Sequence, residues 1–191
     1  MDHAGLGSQI PDRRATLGLN CSLPVTVAVA PAGPHEMDAT ALIQAIQTLN
    51  TEDAFRPRLD VQQWRTFAQY LTRHELRSGD LLVRQGDHDR TLYFLGQGTL
   101  QVFVTGAPPG ASRIGLLRPG AIVGEPGLFG DVPRMANVEA MGSAVVFALR
   151  LQRFEELAQR VPAVALEVLR GAGTVMAWRM RANLTQQLPS A

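Results

Sequence analysis

Between Val123 and Val138 the chain reads VGEPGLFGDVPRMANV, and two residues there, Glu125 and Arg134, are able to do more than pack. Of the residues between them, only Asp131 is neither small nor apolar. A charge in apolar surroundings is costly to desolvate unless a partner compensates it. Two arrangements meet that requirement. Either Glu125 and Arg134 pair with each other and merely hold a loop, or each meets complementary groups on a ligand.

The elements that must position these two charges can be read from periodicity. From about Met37 the pattern is helical, with Ala41, Leu42, Ala45, Ile46 and Leu49 on one face. Asp60 is the expected N-cap of a second helix, whose apolar residues are Trp64, Phe67, Ala68 and Leu71. The period then changes to two. ELRSGDLLVRQGD has two turns around a short strand, and in TLYFLGQGTLQVFVTG the residues Tyr93, Leu95, Leu100, Val102 and Val104 alternate across a Gly-rich turn. GAPPGAS is a loop, since no strand interior tolerates paired prolines. RIGLLRPGAIVGE and NVEAMGSAVVFALR continue the short strands, a succession that predicts an antiparallel sandwich or barrel such as a jelly roll.

Past Leu149 helices return. LQRFEELAQR predicts a short one with Phe154, Leu157 and Ala158 inward, and Pro162 opens a longer one reaching Gln187. Along it Leu166, Leu169, Gly173, Met176 and Met180 alternate by three and four, with Gly173 the small residue where two backbones could approach. Ala163, Val164, Ala165, Val168, Ala172, Val175 and Trp178 are apolar as well. A helix apolar on most of its girth needs cover on more than one side, so a homodimer through this helix is expected. The alternative is a helix that packs only on its own β-roll, with Gly173 tolerated. The expected fold is therefore α+β, mainly β: an antiparallel, jelly-roll-like β-roll flanked by N-terminal helices and a long C-terminal helix. The expected divisions are a flexible leader over 1–36, helices over 37–72, the β-roll over 73–150 and C-terminal helices over 151–188. Within the leader, VTVAVA is a candidate added strand.

Composition narrows the function classes. The chain has 191 residues, enough for one domain with additions. With 18 basic and 17 acidic residues, its bulk charge calls for neither nucleic acid nor membrane. The single cysteine, Cys21, excludes an internal disulfide and fits a reducing compartment. LGLNCSLPV around it lacks the basic and apolar lead-in of a lipoprotein signal, and no run is long enough to span a membrane, so a cytoplasmic location is expected. His3, His35, His74 and His88 are scattered, not clustered as a metal site requires, and no nucleophile elbow is present. Catalysis, metals and cofactors are not expected. ALIQAIQTLN is uncharged and no basic recognition helix occurs elsewhere, while RRAT at Arg13–Thr16 is a kinase-like pattern short enough to arise by chance.

Val123-Gly124-Glu125-Pro126-Gly127-Leu128, followed by Pro133-Arg134-Met135-Ala136-Asn137-Val138, resembles a known motif. It is similar to the phosphate-binding cassette of cyclic nucleotide-binding domains, found in the catabolite activator (Crp/Fnr-like) family and in cyclic-AMP-regulated kinase regulatory subunits. The glycine turns of LVRQGD and LYFLGQGTLQVF resemble that family too, and the likeness covers about 59–188. Each pair taken singly means nothing; their order, spacing and setting carry the signal.

The resemblance implies a cyclic nucleotide ligand and assigns roles. A cyclic phosphate is a singly charged anion with two free oxygens, suited to the guanidinium fork of Arg134. Gly127 and Met135 are the matched positions for backbone amides, assisted by a short helix's N-terminal dipole. Glu125 accepts from the ribose 2′-hydroxyl, and Gly124 lets the backbone approach the sugar without a Cβ. Leu128 and Ala136 fill the remaining candidate ligand-binding positions of the motif. Met135 stands where guanine-binding relatives often place a hydroxyl, which favours adenine and hence cyclic AMP. Counting forward to the family's base contact reaches Arg179 and Met180, where the activator has small hydroxyl residues. Trp178 beside them either stacks on the purine or is core or interface. Arg179 lies over the base, crosses to a partner subunit, or is solvated. A cyclic dinucleotide remains open.

Activator relatives continue into a winged helix-turn-helix, whereas this sequence stops at LPSA. The expectation is a sensor without specific DNA binding of its own, signalling to an effector protein through its helices. The alternative is a β-roll interaction scaffold that needs no ligand.

Overall fold

In a computed structural model of the chain, residues 39–106 and 113–187 are described. VTVAVA, RRAT, Cys21 and the GAPPGAS loop beyond Gly106 lie outside them. Two short helices, α1 (Thr40–Thr48) and α2 (Val61–Ala68), precede the strands β1 (Thr72–Leu76), β2 (Leu81–Val83), β3 (Leu92–Gln97), β4 (Leu100–Phe103), β5 (Arg113–Leu117) and β6 (Ile122–Val123). A five-residue helix α3 (Glu125–Phe129) follows, then β7 (Asn137–Ala140), β8 (Ala144–Leu149), α4 (Leu151–Arg160) and α5 (Pro162–Gln187). Asp60 caps α2 as expected, in a reciprocal box with Gln63.

The strands form two four-stranded antiparallel sheets, ordered β1-β8-β3-β6 and β2-β7-β4-β5. This is the predicted β-roll flanked by helices. Between the sheets lies one core: Leu76, Leu95, Ala144 and Val146 from the first, Val83, Leu100, Val138 and Ala140 from the second. The first sheet's other face carries Leu92, Phe94, Ile122, Phe147 and Leu149, and these pack against α1, α2, α4 and α5. Buried on both faces, β8 reads as a continuous apolar run, AVVFAL, where a half-exposed strand would alternate. Phe94 meets Phe55 and Phe67 edge-on at 5.3 and 5.6 Å, tying the sheet to the N-terminal helices. Ala41, expected on the inner face of α1, is exposed; Leu42, Ala45 and Ile46 alone carry the buried face.

Helix α5 runs from Pro162 to Gln187, the predicted bounds. Its buried face is Val164, Ala165, Val168, Ala172 and Val175, turned to the chain's own core. Leu166, Met176, Met180 and Leu184 remain exposed. Of the two glycines on α5, Gly171 makes the closer contact within the chain. A Cβ at Gly171 would stand 2.5 Å from the Phe55 ring, whereas one at Gly173 would first meet Phe129 at 3.8 Å. Phe129 belongs to α3, so α3 rests directly against α5.

Candidate functional site

Gly124 ends β6 in the left-handed region, φ +93°, and starts α3. A Cβ there would lie 2.5 Å from Arg134 Nη1 and 2.6 Å from the Thr91 carbonyl oxygen. The glycine is needed for two reasons: the backbone turn favours no side chain, and the space belongs to the Arg134 guanidinium. That is a different reason from the expected approach of a sugar.

Arg134 is almost fully enclosed, its side chain 5% exposed. Its backbone is held by the loop before β3: its N–H donates to the Asp87 carbonyl and its carbonyl accepts from Gly86. Nη1 donates to the Gly124 carbonyl at 3.1 Å. Nη2 donates to the Thr91 carbonyl at 2.6 Å and to Asp89 Oδ2 at 2.7 Å. Nε is buried and has no hydrogen-bond partner among the described residues. Burial pushes the Asp89 carboxyl up, but hydrogen bonds from Thr91 and Arg134, with the Arg134 charge and Tyr93, hold it below its ordinary value. Burial and the Asp89 charge push the Tyr93 hydroxyl up to about 12, so it remains a donor to Asp89.

Glu125, its side chain 6% exposed, does not pair with Arg134. Of the two arrangements open to these charges, the Glu125–Arg134 ion pair is not formed among the described residues, and two separate pairs stand there instead. Glu125 Oε1 accepts from Arg179 Nη1 at 2.6 Å, and Arg179 Nε donates to Asp53 Oδ2 at 2.9 Å. Burial pushes Asp53 up, yet the hydrogen bond and charge of Arg179 bring its carboxyl below the usual value. Arg179 Nη2 is buried and has no hydrogen-bond partner among the described residues. The reason is geometric. Each charge is met by a residue that is distant in sequence, from the turn before β3 or from α5, and Arg134 is drawn off by three oxygens already gathered around it.

The other candidates fall in different places. Leu128 and Gly127 are buried, and the Gly127 N–H donates to the Gly124 carbonyl at 3.1 Å while its own carbonyl accepts from Arg90 Nε. Ala136 is half-buried, and Met135 is 72% exposed. Trp178 is 37% exposed. It lines a cleft of about 650 Å³ between α5 and the loop after α1, with Asn50, Arg56, Arg58 and Arg170, and no cassette residue borders that cleft. Successive helix residues point about 100° apart, so Trp178 and Arg179 serve different surroundings. Reading the sequence passed over Asp89, Thr91, Arg90 and Asp53. The first three sit in HDRT, between the two glycine-turn segments that were singled out. Asp53 gave no signal at all, being one acid in an irregular loop. Among the described residues no group of three His, Cys, Asp or Glu could hold a metal ion, and no helix is long and apolar enough to cross a membrane.

The sequence profile described as "Cyclic nucleotide-binding domain" matches residues 73–161. This segment is a domain of the cyclic nucleotide-binding superfamily. A cyclic nucleotide-binding domain from Methylobacillus flagellatus superposes with a TM-score of 0.71 at 18% identity, covering 85% of this chain and 89% of that one, a likeness of fold. The catabolite activator protein of Thermus thermophilus gives a TM-score of 0.58 at 25% identity, over 68% of this chain and 59% of that one. A cAMP-dependent protein kinase regulatory subunit of Debaryomyces hansenii is 27% identical over 119 residues, which are 62% of this chain and 25% of that protein. The chain thus corresponds to a part of the longer relatives. Their shared cyclic nucleotide-binding domain is a non-catalytic, regulatory one, and here its cassette holds a buried arginine and a buried glutamate beside the start of α3.

Proposed function

We propose that this chain senses a cyclic nucleotide, cyclic AMP above others, and passes the signal to a protein partner as a homodimer joined through α5. The observation that carries the reading is Arg134: a buried guanidinium whose Nε has no partner among the described residues, in the cassette of a cyclic nucleotide-binding domain. A cyclic phosphate brings acceptor oxygens to such a fork, sharing or replacing Asp89. Glu125 meets the ribose 2′-hydroxyl, and the exposed Met135 offers no hydroxyl to a guanine. Phe129 links ligand to output, because a shift of α3 moves a ring that rests on α5 at Gly173. Leu166, Met176, Met180 and Leu184 on the open side of α5 suit burial in a second copy.

A second reading, a scaffold that binds no ligand, is favoured by one observation: both charges already have partners within the chain. Melting curves separate the two. At about 100 times its dissociation constant a ligand stabilises by about 2.7 kcal/mol. Sensing predicts such a rise with cyclic AMP, a smaller one with cyclic GMP or cyclic di-GMP, and none in Arg134→Glu. No rise with any of the three leaves the scaffold.

A further inference from the structure

The assignment of Glu125 to a ribose does not by itself explain why Arg179 bridges two carboxylates from distant segments. Arg179 comes from the third quarter of α5, Asp53 from the loop between α1 and α2, and Glu125 from the first turn of α3. Two nitrogens of one planar fork are committed to the two acids, at 2.9 and 2.6 Å. An arginine anchored at Nε and at Nη1 has little rotational freedom left. Among the described residues, Arg179 holds Glu125 Oε1, and Oε2 receives no hydrogen bond from the protein.

We infer that Arg179 is a positioning residue: it fixes Glu125 as the acceptor for a ribose 2′-hydroxyl and is itself fixed by Asp53 in the α1–α2 loop. The inference rests on the cyclic nucleotide reading and deepens it. A carboxylate that is 6% exposed is costly to bury without a counter-charge. Without Arg179, nothing on α5 holds Glu125 in its present orientation, and its value as a placed acceptor for the sugar is lost. Arg134 and its partners stay in place, because none of their hydrogen bonds involves Arg179 or Asp53. Preference for ribose over deoxyribose therefore depends on a loop outside the β-roll. Anything that displaces the α1–α2 loop changes sugar selectivity without touching the phosphate site.

The test is a cycle between protein and ligand. Calorimetric titration of the full chain compares cyclic AMP and cyclic GMP with their 2′-deoxy analogues, for wild type, Arg179→Ala and Asp53→Asn. A hydrogen bond to a charged acceptor is worth about tenfold to a hundredfold in affinity. Wild type should prefer ribose by that factor for the base it accepts. Arg179→Ala should lose the preference while keeping its affinity for the deoxy ligand, and Asp53→Asn should lose part of it. Asp53 is half-exposed, so its variant keeps the test open if Arg179→Ala fails to fold. Equal weakening towards both sugars, or tighter binding of both, overturns the inference, since Arg179 then touches the ligand directly or competes with it. Binding by wild type with no ribose preference overturns it too and leaves the sensing function standing. Wild type that binds none of the four removes both.

Discussion

The Arg134 guanidinium packs on Gly124 at the start of α3, and Glu125 lies in that helix's first turn; both are buried, yet they are held by different parts of the molecule. The arginine's three acceptors, Asp89, Thr91 and Gly124, all lie within the β-roll. The glutamate's partner comes from α5 and is anchored to the N-terminal helices through Asp53. The arginine is thus held by the sheets and their turns. The glutamate is held through α5 by a loop outside them. The contrast separates an arginine held by the β-roll from a glutamate whose setting depends on elements outside it.

The largest expected effect that could break this contrast is on stability. Removing Arg134 strips the counter-charge from Asp89 and takes the guanidinium donor from the buried Thr91 carbonyl. Arg134→Ala should therefore cost about 3 kcal/mol in urea unfolding. Arg179→Ala should cost about 1.5 kcal/mol, because Asp53 can turn to water and only Glu125 remains enclosed. The reverse order would mean that the helices, not the roll, hold the cassette.

A pH series sharpens the same comparison with intermediate effects. Asp89 and Asp53 both have folded values below the ordinary 3.8. Their stabilisation is fully present above that value and is lost as pH falls through the lower folded one. His74, in β1 on the roll, is pushed below its ordinary 6.5 by burial and then by the Arg150 charge. Its contribution is likewise present above 6.5 and lost as pH falls through the depressed value. Stability should decline in two steps on acidification, the first removed by His74→Gln and the second reduced more by Asp89→Asn than by Asp53→Asn. A profile unchanged by any of the three would contradict the assigned pairs.

The smallest effect expected is at Trp178. Its ring faces the cleft beside the α1–α2 loop, with the Arg181 guanidinium 5.7 Å from the ring centre. Trp178→Ala should change stability by no more than about 0.5 kcal/mol and leave nucleotide affinity as it is. A marked loss of affinity would place the ring against a base, as stacking predicts.

Much of the architecture was legible without coordinates, and the reasons are local. The alternation of Tyr93 and Leu95 marked one face of a strand, although Leu92 and Phe94 on its opposite face are as deeply buried, a fact alternation hides when both faces are covered. Asp60 and Pro162 announced the starts of α2 and α5 because capping and proline geometry act within a single turn. The heptad along α5 was visible, but its most constrained glycine, Gly171, was not, since only the neighbouring Phe55 makes that position tight.

The sequence by itself determined the succession of short strands, the helices around them and the Gly-Glu and Pro-Arg pairs of the cassette. Periodicity, turn chemistry and motif spacing are all written in consecutive residues. Tertiary structure alone decided which charge meets which. Asp89 reaches Arg134 and Asp53 reaches Arg179 across long stretches of chain, and an ion pair between distant segments leaves no period or spacing in the sequence. Its identity depends on which oxygens the fold brings to a guanidinium, and that is fixed only once the core has packed.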